Sequence, residues 1–311
     1  MTEGSRRAIL AAFLANLGIA AAKFAAFLAT GAASMLAEAV HSLADSANQG
    51  LLILGGALAG RAPTPEHPFG YGRERYFWAF IVALVLFSMG SLFAISEGVA
   101  KLRDPHELAS TGWAIGVLLL AIGLEGWSLR TAVREARKLR GSLGWWSFVR
   151  RSKQPELPVV LLEDLGALIG LVIALLGVGL ASWLGDPRFD ALGSIAIGVL
   201  LGVIAVILAV EMKSLLIGES ASAAHQRAIL AAIEETPGVR RLIHLRTQHI
   251  GPEELLVGAK LEFDRGLDVA VVAATIDEVE AAIRARVPVA RVIYLEPDVY
   301  RQPAAEAKAN P

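Results

Sequence analysis

The chain has 311 residues, of which 55% are hydrophobic and only 19% charged, and its mean hydropathy is +0.54. These values exclude an ordinary soluble globule, in which about 25% of residues are charged. The net charge of −1, without a basic stripe, excludes a nucleic-acid partner. Because the chain has no cysteine, any metal must bind through imidazole and carboxylate groups, as Zn²⁺, Mn²⁺, Fe²⁺ or Co²⁺ can.

Six apolar runs are long enough to cross a bilayer, which takes a helix of about 20 residues. They cover residues 9–29, 35–58, 77–99, 113–133, 159–183 and 191–210. The first follows Arg6 and Arg7 without a cleavage pattern, so we expect it to be retained. Basic residues concentrate in the loops after the second and fourth runs, which predicts that these loops and both termini are cytoplasmic. Between the fourth and fifth runs, Trp145, Trp146 and Phe148 lie among basic residues, as is typical of an interfacial segment.

After Ile217 the composition becomes that of a globular domain. Its patterns predict a helix over 222–235, strands over 239–250 and 255–263, a helix over 268–286 and a strand over 289–296. This αββαβ order indicates a small ferredoxin-like sheet. We therefore predict a six-helix transmembrane domain over 1–217, an α+β cytoplasmic domain over 218–298 and a disordered tail over 299–311.

The second run carries a polar face formed by Glu38, His41, Asp45 and Asn48, at spacings of three and four residues. His41 and Asp45 lie one helical turn apart, with Cβ atoms about 5–6 Å from each other, so both can reach one ion. Ionisable groups at membrane depth cost about 2.5 kcal/mol or more each and usually mark a transport path. The alternative is structural: His41 hydrogen-bonds Asp45 and helps to tie two helices together.

The fifth run contains two adjacent carboxylates, Glu163 and Asp164, with no basic residue nearby in the sequence. Such a pair inside a membrane needs a cation. Neighbouring residues differ by about 100° around a helix, so one carboxylate would bind an ion and the other support it. Glu163 could instead pair with Lys23 of the first run.

Other polar residues carry weaker signals. His67, in the loop 65–76, is either a metal ligand or a solvated histidine. His244 and His249 lie on opposite faces of one predicted strand and cannot share an ion. Asn16 and Lys23 share a helix face, which favours helix packing, and Glu125 in the fourth run is a candidate for a proton path.

Three motifs together resemble the cation diffusion facilitator family of metal/proton antiporters. They are SMLAEAVHSLADSANQ at 34–49, HPFGYGRERY at 67–76 and VVLLEDLGALIG at 159–170, and the resemblance extends over the whole chain. The third is most similar to the branch of the animal mitochondrial zinc transporters and their bacterial relatives.

The resemblance implies a homodimer, held through the cytoplasmic domain and membrane helices, in a bilayer such as the bacterial inner membrane. Alternating access would exchange a cytoplasmic metal ion, with zinc favoured, for protons from the other side of the membrane. The ligands that carry over are His41, Asp45 and Asp164. Where the family has a fourth ligand, a histidine, this chain has Val160, so Glu163 or a water would replace it. The loss of an imidazole leaves Mn²⁺, Fe²⁺ and Co²⁺ open beside Zn²⁺.

Two further family sites are altered. His67 matches a ligand of a second site, but Tyr71 replaces another histidine there. Lys260 and Tyr294 stand where some members have zinc-binding histidines, so we expect the tail domain to dimerise with little or no metal.

Two rival functions are an intramembrane zinc enzyme and a metal sensor that binds without transporting. The enzyme is disfavoured because no HExxH pattern occurs, and we expect no enzymatic activity. A sensor would have the same ligands as a transporter.

Overall fold

The computed structural model describes residues 10, 13–14, 16–22, 24–25, 28, 33–105 and 111–301, with only the backbone of 33–41. The chain folds into two compact units, and the division lies between Leu216 and Ile217. The first unit is helical. The second contains a three-stranded sheet.

The helices of the first unit follow the apolar runs and extend beyond most of them into polar flanking residues. They are α1 (Ala33–Ala59), α2 (Glu74–Arg103), α3 (Thr111–Arg140), the short α4 (Trp145–Arg151), α5 (Glu156–Leu184) and α6 (Arg188–Ile217). Of these, α2, α3, α5 and α6 are long and apolar enough to cross a membrane. Helix α1 matches the second predicted run. Much of the first run lies outside the described residues, so the count of six stays a prediction.

Helix α2 is not regular, which the hydropathy pattern did not predict. Its residues Leu86–Leu92 form a π-helical segment between two α-helical parts. At its C-terminal end Lys101 forms an ion pair with Asp190 of α6, at 3.2 Å. Such π segments often occur at functional sites, because they shift the register of the helix faces on either side.

Helices α2 and α6 approach closely at two reciprocal glycines. A Cβ placed on Gly98 would lie 2.6 Å from Cγ1 of Ile195 and 2.8 Å from the carbonyl oxygen of Ala191. A Cβ on Gly198 would lie 2.6 Å from Cγ1 of Ile95. Small residues let membrane helices pack with their backbones in contact. Each glycine therefore receives an isoleucine of the opposite helix.

Replacing Gly98 by alanine should therefore destabilise the protein. The new methyl group meets backbone atoms, which cannot rotate away, and overpacking of this kind costs about 1–3 kcal/mol. The measurement is the free energy of unfolding of the purified chain in detergent. Gly126→Ala in α3 is the matched control, since no described atom outside the adjoining backbone of its own helix lies within 4 Å of its Cβ position. Equal stability of the two variants would contradict this account of the packing.

The second unit has the predicted αββαβ order. Its elements are α7 (Ala223–Glu234), β1 (Val239–Gly251), β2 (Glu254–Phe263), α8 (Val269–Arg286) and β3 (Ala290–Pro297). Strand β2 is central, antiparallel to β1 and parallel to β3. The alternating side chains Leu255, Val257, Ala259 and Leu261 of β2 are buried. Ser222 and Asp268 cap α7 and α8. The α+β fold of the tail domain is confirmed.

Candidate metal centre

One face of α1 is buried and polar, and it carries Asp45, one of the residues predicted to bind metal. Asp45, Asn48 and Gln49 are almost fully buried, and Asn48 is only 1% exposed. Leu43, on another face, is exposed. The side chain of His41 lies outside the described part of the chain, although its backbone is helical. Placing its imidazole one turn from Asp45 therefore stays a prediction.

Glu163 of α5 is held by amide groups of α1. Nδ2 of Asn48 donates to its Oε1 at 2.9 Å, and Nε2 of Gln49 donates to its Oε2 at 3.4 Å. Oε1 of Gln49 in turn accepts from Nδ2 of Asn16 at 3.3 Å. These bonds link the first, second and fifth predicted runs through buried amides. Asn16 thus takes part in helix packing, as its position indicated, while the alternative partner Lys23 lies outside the described residues.

Asp164 is oriented from a different helix. Oγ of Ser128 in α3 donates to its Oδ2 at 2.9 Å, and both residues are buried. Glu125, also buried, lies three residues before Ser128 on α3. The two adjacent carboxylates of α5 therefore accept hydrogen bonds from different helices, Glu163 from α1 and Asp164 from α3. This is the division that a helix imposes on consecutive residues.

Asp45 completes a group of buried carboxylates. It is close enough to interact electrostatically with both Glu163 and Asp164, and Glu125 is close enough to interact with Glu163. Among the side chains that the structure describes, no three His, Cys, Asp or Glu groups lie close enough to hold an ion. Asp45, Glu125, Glu163 and Asp164 nevertheless bring four buried carboxyl groups near one another, and inside a membrane their ionised forms are stabilised by a bound cation.

Val160 lies at the position where the family resemblance led us to expect a histidine. It precedes Asp164 by one turn of α5 and is 1% exposed. An isopropyl group has no lone pair, so Val160 cannot bind a metal. It packs instead in the hydrophobic core of the first unit, with Leu157, Val159 and Leu161.

His67 lies on an exposed turn between α1 and α2. Its backbone N–H donates to the carbonyl of Thr64 at 3.0 Å, and its ring centroid is 4.7 Å from that of Tyr71. The hydroxyl groups of Thr64 and Tyr71 are 3.2 Å apart. Hydrogen bonds from the backbone and from Thr64 lower the pKa of neighbouring Glu66. The turn is thus well connected, and a second metal site at His67 stays a prediction.

A buried ion pair between α2 and α5 is a feature that the sequence did not predict. Arg75 Nη2 donates to Oε2 of Glu156 at 2.8 Å, and Nε donates to Oε1. The exposed fractions are 5% for Arg75 and 1% for Glu156. The sequence pattern places Arg75 among the basic residues of a loop. One signal in the sequence could have indicated this pair. Arg75 and Glu156 each lie at the N-terminal end of a membrane span, so they would lie at the same depth in the membrane if the two spans were neighbours.

In the tail domain, Lys260 and Tyr294 lie at the positions where the family resemblance led us to look for zinc ligands. Lys260 forms ion pairs with Glu296 at 2.8 Å and Asp298 at 3.1 Å. Hydrogen bonds to Glu296 and then Asp298 raise the pKa of Lys260, so its ammonium stays charged at neutral pH. Tyr294 is exposed. On β1, His249 is buried and His244 exposed, which confirms that they face opposite ways.

Two family models match the chain. The cation efflux transmembrane domain matches residues 9–217, and the cytoplasmic domain of cation efflux proteins matches residues 221–298. Among solved structures, a nickel form of a MamM CTD variant is 24% identical and aligns over 26% of this chain and 100% of its own, with a TM-score of 0.24.

Curated relatives agree with the family models. The mitochondrial proton-coupled zinc antiporter SLC30A9 of Mus musculus is 34% identical over 78% of this chain and 43% of its own length. Metal tolerance protein C4 of Arabidopsis thaliana is 31% identical over 84% of this chain and 58% of its own. The cation-efflux pump FieF of Klebsiella pneumoniae is 28% identical over 97% of this chain and 95% of its own length. The chain thus spans less than half the length of the mitochondrial relative.

The transmembrane model alone covers well over half of the chain. The motifs at 34–49, 67–76 and 159–170 all lie within that match. The chain therefore belongs to the cation efflux family, also called the cation diffusion facilitators, and is an integral membrane protein.

Proposed function

We propose that this chain exports a divalent transition-metal ion in exchange for protons, and that zinc is the favoured ion. The observation that carries the proposal is the group of buried carboxylates, Asp45 on α1 with Glu163 and Asp164 on α5, within electrostatic reach of one another. Three buried carboxylates are stable in a membrane when a cation binds among them. His41, one turn from Asp45, supplies the imidazole that favours zinc over hard ions such as Mg²⁺.

Proton coupling follows from the chemistry of these ligands. Imidazole binds metal only when neutral, and carboxylate only when ionised, so protons and metal compete for the same groups. Among the relatives, the SLC30A9 proteins are named as proton-coupled zinc antiporters. With one imidazole and several oxygen donors, Mn²⁺, Fe²⁺ and Co²⁺ are the alternative cargoes.

The proposed test separates transport from sensing. The purified chain is reconstituted in liposomes loaded with a zinc-sensitive dye, and zinc is added outside. A transporter fills the lumen with zinc until the gradient is spent. A sensor or scaffold binds only a few ions per protein molecule and leaves the lumen free of zinc. That result would overturn the proposal.

The proposed topology has both termini in the cytoplasm of a bacterial cell, with the protein in the inner membrane. It is supported by the basic loops after the second and fourth runs. The domains proposed are residues 1–217 in the membrane and 218–298 in the cytoplasm. Of the predicted disordered tail at 299–311, residues 302–311 lie outside the described part.

We further propose a homodimer, held by the tail domains and by membrane helices, in which the tail needs little or no metal. The ammonium group of Lys260, paired with Glu296 and Asp298, occupies a position where a zinc ligand would lie, and an ammonium has no lone pair with which to bind a metal.

Chelation should therefore leave the dimer intact. The full chain in detergent, treated with an excess of EDTA, is expected to keep the dimer mass when measured by light scattering during size-exclusion chromatography. Conversion to monomers by EDTA, reversed by added zinc, would contradict a metal-independent tail.

A further inference from the structure

Asn48 carries a buried oxygen that the hydrogen-bond network does not use. Its Nδ2 donates to Glu163, but its Oδ1 is buried and has no hydrogen-bond partner among the residues that the structure describes. An unpaired buried acceptor destabilises a fold, and few occur in a native protein. In this chain the oxygen lies beside a group of buried carboxylates.

The direction of this amide is set by its partner. Both oxygens of Glu163 accept from amide nitrogens, as an ionised carboxylate does, and only the NH₂ end of an asparagine can donate to it, so Glu163 fixes which end of the Asn48 side chain faces it. Oδ1 must then point elsewhere. The neighbouring Gln49 differs, because its nitrogen donates to Glu163 and its oxygen accepts from Asn16. Glu163 thus holds two amides, and only the one on Asn48 has an acceptor left over.

Asn48 also has the position that a metal ligand requires. It follows Asp45 by three residues and His41 by seven, so all three share one face of α1. Its partner Glu163 lies on α5 between Val160 and Asp164, the two positions one turn apart that correspond to ligands in the family. Since Val160 is apolar, the set of His41, Asp45 and Asp164 is one donor short of a tetrahedral site.

We propose that Oδ1 of Asn48 is a ligand of the transported divalent cation and takes the place of the imidazole that Val160 cannot supply. This inference rests on the proposed function. Amide oxygens are ordinary ligands of divalent ions. The resulting site has one nitrogen and three oxygen donors, so it discriminates less strongly between Zn²⁺ and Mn²⁺ than a site with two imidazoles.

The test is equilibrium binding of Zn²⁺ and Mn²⁺ to the full chain in detergent, by competition with a chelating dye. Asn48→Leu should weaken zinc binding by about ten- to a hundredfold, a loss that even residues supporting a metal ligand produce. Gln49→Leu is the matched comparison, because it removes the other amide on Glu163 without removing an unpaired oxygen, so its loss of zinc affinity should be clearly smaller than that of Asn48→Leu. Asn48→Asp keeps the oxygen, so it should retain zinc binding above neutral pH.

A second substitution decides between ligation and a structural role. Val160→His restores the absent imidazole, so adding it to Asn48→Leu should return zinc affinity to near wild type and favour Zn²⁺ over Mn²⁺. The assignment of Asn48 would be overturned if Asn48→Leu kept wild-type affinity or lost no more than Gln49→Leu. It would also be overturned if Asn48→Asp lost zinc binding, or if Val160→His gave no rescue. Absence of metal binding in the wild-type chain would overturn the proposed function itself.

Discussion

Asp45→Ala and His41→Ala should each abolish zinc transport in proteoliposomes, with a loss of at least about a hundredfold. Residues that only hydrogen-bond to a metal ligand already contribute about ten- to a hundredfold. Asp45 is buried on α1 and lies within electrostatic reach of both carboxylates of α5, so its removal deletes a proposed ligand and part of the charge that attracts the cation. The measurement is the initial rate of zinc entry, together with zinc-dependent proton flux.

The control for these variants is Leu43→Ala. Leu43 lies between His41 and Asp45 on α1, but its side chain is exposed and so points away from the carboxylates. Zinc entry should be unchanged in this variant. Wild-type transport rates in both His41→Ala and Asp45→Ala would contradict the assignment of the site, whatever the behaviour of the control.

Arg75→Ala should reduce the free energy of unfolding by about 3–5 kcal/mol, the cost of breaking a buried ion pair. The reason is desolvation: without the guanidinium group, the carboxylate of Glu156, only 1% exposed, keeps its charge in a buried site and loses its two charge-assisted hydrogen bonds. Urea unfolding of the purified chain in detergent, followed by tryptophan fluorescence, measures the change.

The matched control is Arg150→Ala in α4. Arg150 also pairs with a glutamate, Glu211 at 2.9 Å, but its side chain is 57% exposed. Such a pair contributes about 0–1 kcal/mol. Replacing Arg75 and Glu156 together by leucine should restore much of the stability, because no charge is then left in the core. Equal losses in Arg75→Ala and Arg150→Ala would contradict the importance of burial.

The sequence predicted those features that depend on neighbouring residues in the chain. Helices α2, α3, α5 and α6 follow runs of apolar residues, and the strands of the tail follow period-two alternation. Both patterns can be recognised from residues that are close together in the sequence. The bounds of β1, β2 and α8 differ from the predicted ones by a single residue at most at each end. The candidate residues on α1 and α5 were found in the same way, as ionisable groups within apolar runs.

What the sequence could not show is which helices are neighbours. The bond from Asn48 to Glu163 joins residues 115 positions apart, and that from Arg75 to Glu156 joins residues 81 apart. Such pairs follow from tertiary packing, which depends on features such as the approach of Gly98 to Ile195. As a result Glu163, interpreted as a candidate ligand, is observed bonded to two amides, and Arg75, counted as a loop charge, is buried.

The most direct test of exchange transport is zinc movement under an imposed pH gradient. Wild-type proteoliposomes with equal zinc on both sides are given an acidic lumen in one experiment and an alkaline lumen in the other. We predict that zinc accumulates in the acidic lumen as protons leave, and that it is driven out of the alkaline lumen as protons enter. Zinc movement that is the same in both, or no movement in either, would contradict the account.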